Sequence, residues 1–249
     1  MALVWITGAT GAIGSALARR LIARGDTVVL SARNADRLLA LSRELGGSAF
    51  PVVADVTNEA SVEAAALQIE QQFGTPTGLA HCVGSILVKS IAATSAAELH
   101  ATFATNFFSA WTVLRTFVRA VRKAKHPASA VLVGSVAARL GFANHEAIAA
   151  AKAAVAGLAV SAAASGAAFG LRVNCVHPAL TRSALSARWL VTPEQEQRFA
   201  RSNPSGRIGE GDDTAAAIAY LLSDEAGWIT GQEIGVDGGQ SRLWGSATA

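Results

Sequence analysis

Cysteine is scarce in this chain: two in 249 residues, Cys82 and Cys175, each inside an apolar stretch. Neither has metal-ligand spacing and there is no second pair. That excludes a disulfide framework and a thiolate metal cluster, and it leaves reduced core thiols, the usage of a cytoplasmic protein. Charge is scarce too. Charged residues make up 16% of the chain and the net charge is +3, a slight excess among few charges that implies no nucleic-acid surface. One basic face exists: Arg115, Arg119 and Arg122 at helical spacing, with Lys123 and Lys125 beyond, which reads as a solvated helix face. No Pro-, Ser- or charge-rich linker divides the chain and no repeat appears. Residues 1–249 therefore read as one domain, long enough to bury a large core. The N-terminus runs straight into an apolar strand, without a basic leader or cleavage site. The long apolar segment Ala147–Leu171 is rich in Ala and Gly and carries Lys152, which predicts a buried helix and no membrane span.

What is present is an alternation. Predicted strands are Leu3–Thr7, Thr27–Ala32, Ala49–Val53, Gly78–Val83, Ala130–Gly134, Arg172–His177 and Glu233–Val236. Predicted helices are Ile13–Arg24, Ala35–Glu44, Glu59–Phe73, Ala97–Ala124, Asn144–Ala168, Pro193–Ser202 and Asp212–Leu222. Apolar strands separated by helices predict a doubly wound α/β fold, a parallel sheet between two helical layers, with ligands beyond the carboxyl ends of its strands. The first such end carries the strongest signal. After Thr7 come Gly8, Thr10, Gly11, Ala12, Ile13 and Gly14, with glycines three apart, and then a helix. Glycines turn the chain sharply and let a ligand approach the backbone, while the helix N-terminus attracts a diphosphate.

The end of the second strand selects among dinucleotides. An acidic group there would bind the ribose hydroxyls of NAD; instead the sequence is Ser31-Ala32-Arg33-Asn34. Arg33 can fork onto a 2′-phosphate and Ser31 can add a hydrogen bond, so NADP is favoured over NAD. Asp55-Val56 is a candidate for the adenine, or a helix cap before Asn58. Ser135 and His177-Pro178 end the fifth and sixth strands. Residues 184–204 follow as a lid over a small-molecule substrate, with Leu185, Trp189, Leu190, Val191 and Phe199 as an apolar wall, or else as a surface helix pair.

At this point the chain resembles the short-chain dehydrogenase/reductase family over essentially its whole length. The resemblance rests on Thr7–Gly14, Asp55-Val56, Asn106, Ser135, Lys152 with Ala153-Ala154-Val155, Arg172-Val173-Asn174 before Pro178, and Thr230-Gly231 followed by Val236-Asp237-Gly238-Gly239. It implies a single Rossmann domain, a nicotinamide cofactor, and hydride transfer to or from a carbonyl or alcohol. It also implies a homotetramer or homodimer in which the Ala97–Ala124 and Asn144–Ala168 helices form an interface. Asn106, Ser135 and Lys152 match three of the family's four catalytic positions, and Lys152 would hold the nicotinamide ribose. Gly84, Pro178, Thr181 and Ser183 match positions beside the cofactor. Gly84 closes His81-Cys82-Val83-Gly84, in which Cys82 replaces a polar residue that ties two strands together in the family.

The fourth catalytic position departs. The family places a tyrosine four residues before the lysine, and here that residue is Ile148. The only tyrosine, Tyr220, lies in a late helix. Ile148 has no proton to give and becomes part of the substrate wall. His145 is the nearest substitute, seven residues before Lys152, the spacing used by an enoyl-reductase branch of the family. On one helix the two would point within roughly 20° of each other, about 10 Å apart along the axis. Histidine is the side chain whose charge changes nearest neutral pH. The expectation is an NADP-dependent reductase of an apolar carbonyl or enone, its proton supplied by His145 or a Ser135-bound water. The alternative is an inactive cofactor-binding sensor or oligomer partner.

Overall fold

Val4, Trp5 and Ile6 are all buried, so the strand they form, β1 (Leu3–Thr7), needs cover on both faces. Six more strands share that sheet: β2 (Thr27–Ser31), β3 (Ala49–Pro51), β4 (Gly78–His81), β5 (Ala128–Val133), β6 (Leu171–Pro178) and β7 (Glu233–Val236). The order is β3-β2-β1-β4-β5-β6-β7 and every pairing is parallel. This is the doubly wound order, and its direction reverses between β1 and β4, where a crevice for a ligand opens. The computed structural model describes residues 1–244.

The helices are α1 (Ala12–Ala23), α2 (Ala35–Leu45), α3 (Glu59–Phe73), α4 (Ala96–Phe103), α5 (Ser109–Ala124), α6 (Glu146–Gly166), α7 (Pro193–Arg201) and α8 (Gly211–Leu222). Leu17 and Leu21 of α1, Leu38 of α2 and Ile218 of α8 pack with Val4 and Ile6 on one face. Ile69 of α3, Phe117 of α5 and Val155 of α6 pack with Trp5 on the other. Three layers result, as the alternation predicted. The basic stripe on α5 faces acidic α3, with Arg115 paired to Glu59 and Lys123 to Glu70 at 2.9 Å. Helix α6 is long and apolar enough to cross a membrane, but Val155, Ala156, Ala159 and Ala163 bury it against the sheet.

Most element ends shift by one or two residues, as where β4 stops at His81 instead of Val83, and three differences have a clear physical reason. The helix expected over 97–124 is interrupted by a wider π-type turn, Ala104–Phe108, between α4 and α5. Such turns place extra backbone freedom at functional positions, and this one carries Asn106. The helix expected from Asn144 starts two residues later, because Asn144 adopts a left-handed φ of 63° and His145 is the N-cap. The third strand stops at Pro51 rather than Val53; it is an edge strand, where a residue without an N–H is tolerated.

Candidate active site

The glycine turn is built by contact distances. Gly8 has φ 72°, and a Cβ on it would come within 2.9 Å of the Cys82 backbone. A Cβ on Gly14 would lie 2.4 Å from the Gly8 carbonyl, so α1 packs onto the turn only because that position is bare. Helices α2, α3, α4 and α7 are capped by the side chains of Asn34, Asn58, Ser95 and Thr192. Helix α1 is capped by Gly11, which offers none, and no acidic residue stands in its first turn. The Gly11 N–H closes the turn onto the Gly8 carbonyl at 3.0 Å, which leaves those of Ala12 and Ile13 as the leading donors at the switch point. These residues fit the pyrophosphate of a dinucleotide, which the protein would hold by backbone and helix dipole.

Thr7 does not serve this ligand through its side chain. It is fully buried, and its hydroxyl lies 2.8 Å from His81 Nδ1. The other ring nitrogen lies 3.1 Å from Ser109 Oγ, which donates to the Thr105 carbonyl. Ser109 must therefore accept from His81 Nε2–H, and Thr7 donates to Nδ1. Burial drives the His81 pKa down to about 3, so the ring is neutral. His81 thus ties β1 to β4 and to α5, and the polar link that Cys82 removes is supplied one residue earlier. Sequence reasoning missed this role, although a histidine ending an apolar strand was visible.

Beyond β2 the structure separates two predicted contacts. Arg33 is exposed and makes no ion pair among the described residues, so its guanidinium is free for a phosphate. Ser31 is fully buried and its hydroxyl accepts from Trp5 Nε1 at 2.9 Å; it is a strut within the sheet, not a cofactor contact. Asn34 Oδ1 is used by the Arg37 N–H. Arg37, which sequence reasoning passed over, reaches back to the Thr10 carbonyl at 3.3 Å and brings a second cation to the turn. A second arginine in the first turn of α2 was the available signal. Asp55 accepts from Thr57 through Oδ1 alone, which holds its carboxyl below the usual range and leaves Oδ2 open. The cap of α3 is Asn58, not Asp55. Val56 is buried in the core and can offer only its backbone.

A cleft of about 680 Å³ opens over the carboxyl ends of β4, β5 and β6. Ser135, His145, Ile148 and Lys152 all line it, together with Gly84, Pro178, Thr181, Ser183, Leu185 and Trp189. Ser135 extends from β5, and its Oγ accepts the Ala137 N–H at 3.1 Å, leaving its own proton available. Behind it, buried His177 places Nδ1 2.9 Å from the Ser135 carbonyl and Nε2 3.2 Å from Glu233. Lys152 is 5% exposed and donates to the Val133 carbonyl at 2.8 Å. Burial lowers its pKa to about 8. Burial pushes the thiols of Cys82 and Cys175 up to about 12, which leaves them unreactive.

Asn106 is fully buried and does not line the cleft. Its amide accepts from Ser85 N at 3.1 Å and donates to Ser85 Oγ and the Thr102 carbonyl, both at 2.9 Å. It fixes the loop after β4, where a Cβ on Gly84 would crowd Asn106 Oδ1 at 3.1 Å and Lys152 Nζ at 3.2 Å. Ile148 is 4% exposed and fills its place with hydrocarbon. His145 reaches the same cleft from the N-cap of α6, so the helical-wheel estimate of its angle to Lys152 does not apply. Its Nδ1 lies 2.8 Å from the Ala143 carbonyl and must donate to it, which leaves Nε2 as the second ring position. Tyr220 is half-exposed on α8 and outside the cleft.

The lid segment forms one short turn, Ala187–Trp189, and α7. Leu185, Trp189 and Phe199 line the cleft, whereas Leu190 faces a different hollow beside α1 and Val191 is 70% exposed. Arg188 spans to the Ile86 carbonyl at 3.3 Å and straps the lid to the loop after β4. The Ser183 hydroxyl is engaged with Ser186 at 3.2 Å, and Thr181 pairs with Gly209 through its backbone.

Residues 8–241 match the family model described as Enoyl-(Acyl carrier protein) reductase. The chain is 31% identical over 234 residues to 3-oxoacyl-[acyl-carrier-protein] reductase FabG of Escherichia coli (strain K12), covering 94% of this chain and 95% of that one. A short-chain type dehydrogenase/reductase from Mycobacterium ulcerans superposes with a TM-score of 0.91 at 31% identity, covering 98% of this chain and 91% of that one. A gluconate 5-dehydrogenase from Burkholderia cenocepacia J2315, solved in complex with NADP and tartrate, superposes with a TM-score of 0.92 at 26% identity, covering 98% and 96%.

Proposed function

Because the chain is an oxidoreductase belonging to the short-chain dehydrogenase/reductase family, we propose that it uses NADP(H) to reduce the carbonyl or conjugated double bond of a small to medium substrate with an apolar body, and that His145 supplies the proton. The observation that carries this reading is the convergence of Ser135, Lys152 and His145 on one apolar-walled cleft that Ile148 also lines.

The bound cofactor supplies hydride to the substrate. Gly8, Gly11 and Gly14 would hold its diphosphate, and Asp55 Oδ2 would be open to its adenine. Arg33, with Arg37 beside it, favours a 2′-phosphate. The NADP in the B. cenocepacia neighbour supports that choice. Ser135 donates to the substrate oxygen. Lys152, charged below about pH 8, stabilises negative charge as it develops there. The His145 ring, anchored through Nδ1–H on Ala143, carries a second proton on Nε2 when charged and delivers it to the oxygen or carbon that completes the reduction. Asn106 acts as a positioning residue through Ser85. Leu185, Trp189 and Phe199 keep water out. Exposed Phe108, Trp111 and Val160 support pairing of subunits through α5 and α6.

The test is NADPH oxidation against a panel of quinones, ketones and enones. Turnover that falls sharply in His145→Ala supports the reading. Tight cofactor binding without turnover of any panel member contradicts it.

A further inference from the structure

The substrate cleft takes polar groups from two parts of the chain, and the proposed chemistry uses only one. Ser135, His145 and Lys152 are the reacting set. The other is on the lid, where Arg198 joins Phe199 and Ser202 in the lining. Among the described residues, three cations line the cleft, Lys152, Arg198 and Arg207, and no carboxylate does. Lys152 is engaged with the Val133 carbonyl, and Arg207 is neutralised by Asp213 at 2.6 and 2.8 Å. Among the described residues, the Arg198 guanidinium makes no hydrogen bond and no ion pair.

Its isolation is specific. Glu194 stands four residues earlier on α7, the spacing and order that best pair with an arginine. Yet Glu194 is turned to its own backbone N–H and the Thr192 hydroxyl, which hold its carboxyl low. Glu196 and Glu210 are both taken by Arg182. Arg198 is exposed to solvent yet lines the cleft mouth, whereas Arg201, in the same last turn, does not, so the helix dipole alone does not account for its placement. The Arg198 guanidinium lies over the Phe199 ring, 5.3 Å from its centroid. That stacking covers one face and leaves the forked N–H edge free, the geometry that binds an oxyanion.

We infer that the non-reacting end of the substrate is an oxyanion, a carboxylate or an equivalent group, and that Arg198 is its receptor across an apolar midsection. This rests on the reading of the cleft as a reductase site, and it narrows the substrate class to keto or enone acids.

Two measurements test it. The first is steady-state reduction of linear keto acids of increasing chain length against their methyl esters. A charge-assisted hydrogen bond predicts kcat/KM for the acid about tenfold or more above the ester at one chain length. Arg198→Gln abolishes that preference mainly through KM, Arg198→Lys retains part of it, and Arg201→Gln leaves it unchanged. The second needs no turnover: calorimetric titration of octanoate and octanamide into the protein–NADP⁺ complex. Octanoate binds more tightly than octanamide to the wild type and equally to Arg198→Gln. Equal binding of the two probes to the wild type, or none of either, overturns the inference. If octanoate binds through Arg198 but no keto compound is reduced, the anion site stands and the reductase reading fails.

Discussion

Lys152→Met should make the unliganded protein more stable at neutral pH and destroy its activity. Lys152 is almost completely buried, and burial lowers its pKa from 10.5 to about 8. A gap of that size corresponds to a charged form disfavoured by about 3 kcal/mol in the folded state. Methionine keeps the length of the side chain and removes the charge. It also loses the bond to the Val133 carbonyl, worth about 1 kcal/mol, so the net gain is roughly 2 kcal/mol. For a chain of this size that raises Tm by roughly 4–8 °C. The pH dependence fixes the cause. Between about pH 8 and 10.5 the unfolded lysine holds a proton that the folded one has released, so wild-type stability gains from this group as pH rises. Cys82 and Cys175 act oppositely above their ordinary value of 9.0, because folding keeps their thiols protonated. The difference between wild type and Lys152→Met cancels that contribution. Urea unfolding across this range should show the advantage of the variant shrinking from pH 8 upward, vanishing near about 9.5 and reversing to about 1 kcal/mol in favour of the wild type near 10.5, where only the lost bond to Val133 remains. Activity should move the other way, with wild-type turnover falling as Lys152 loses its charge above about 8. A variant less stable than wild type at neutral pH, or a gap that stays constant with pH, would refute the buried-charge argument.

Three further outcomes are expected. Arg33→Ala should weaken NADPH by roughly 10- to 100-fold, the size of a charge-assisted phosphate contact, and leave NADH nearly unchanged; fluorescence titration of both nucleotides reads this. Gly14→Ala would force a Cβ to 2.4 Å from the Gly8 carbonyl, so nucleotide affinity should be lost even where circular dichroism shows a folded protein; retained affinity would contradict the bare-backbone site. His81→Leu strands the buried Thr7 hydroxyl and removes the donor to Ser109, which keeps its bond to the Thr105 carbonyl, and should cost about 2–4 kcal/mol in urea unfolding, while a change under 1 kcal/mol would show that the link is dispensable.

The fold was legible because period and punctuation agreed. Apolar strands alternate with helices, and Glu59–Phe73 matched the predicted limits, since Asn58 and Gly74 mark its ends chemically. The bare backbone of the turn at Gly8 and Gly14 and the exposed cation Arg33 after β2 were legible as structure. The chain was less legible where a polar side chain turns inward. Ser31 and Thr7 look like ligand contacts in the sequence, yet each sits within a strand buried on both faces and pairs with a neighbouring element. The start of α6 depends on a left-handed Asn144, and the π-type turn around Asn106 depends on packing; neither leaves a periodic trace. The role of Arg198 could not be read at all, because it follows from which carboxylates are already taken.

The central claim is that His145 delivers the proton that a phenol at position 148 would otherwise supply. It is tested most directly by kcat for NADPH oxidation in His145→Ala, with and without added imidazole. Loss of a positioned acid predicts a fall of about 10²–10⁴-fold, with partial recovery by imidazole and no recovery by imidazole in Lys152→Met. An unchanged rate in His145→Ala would contradict the account.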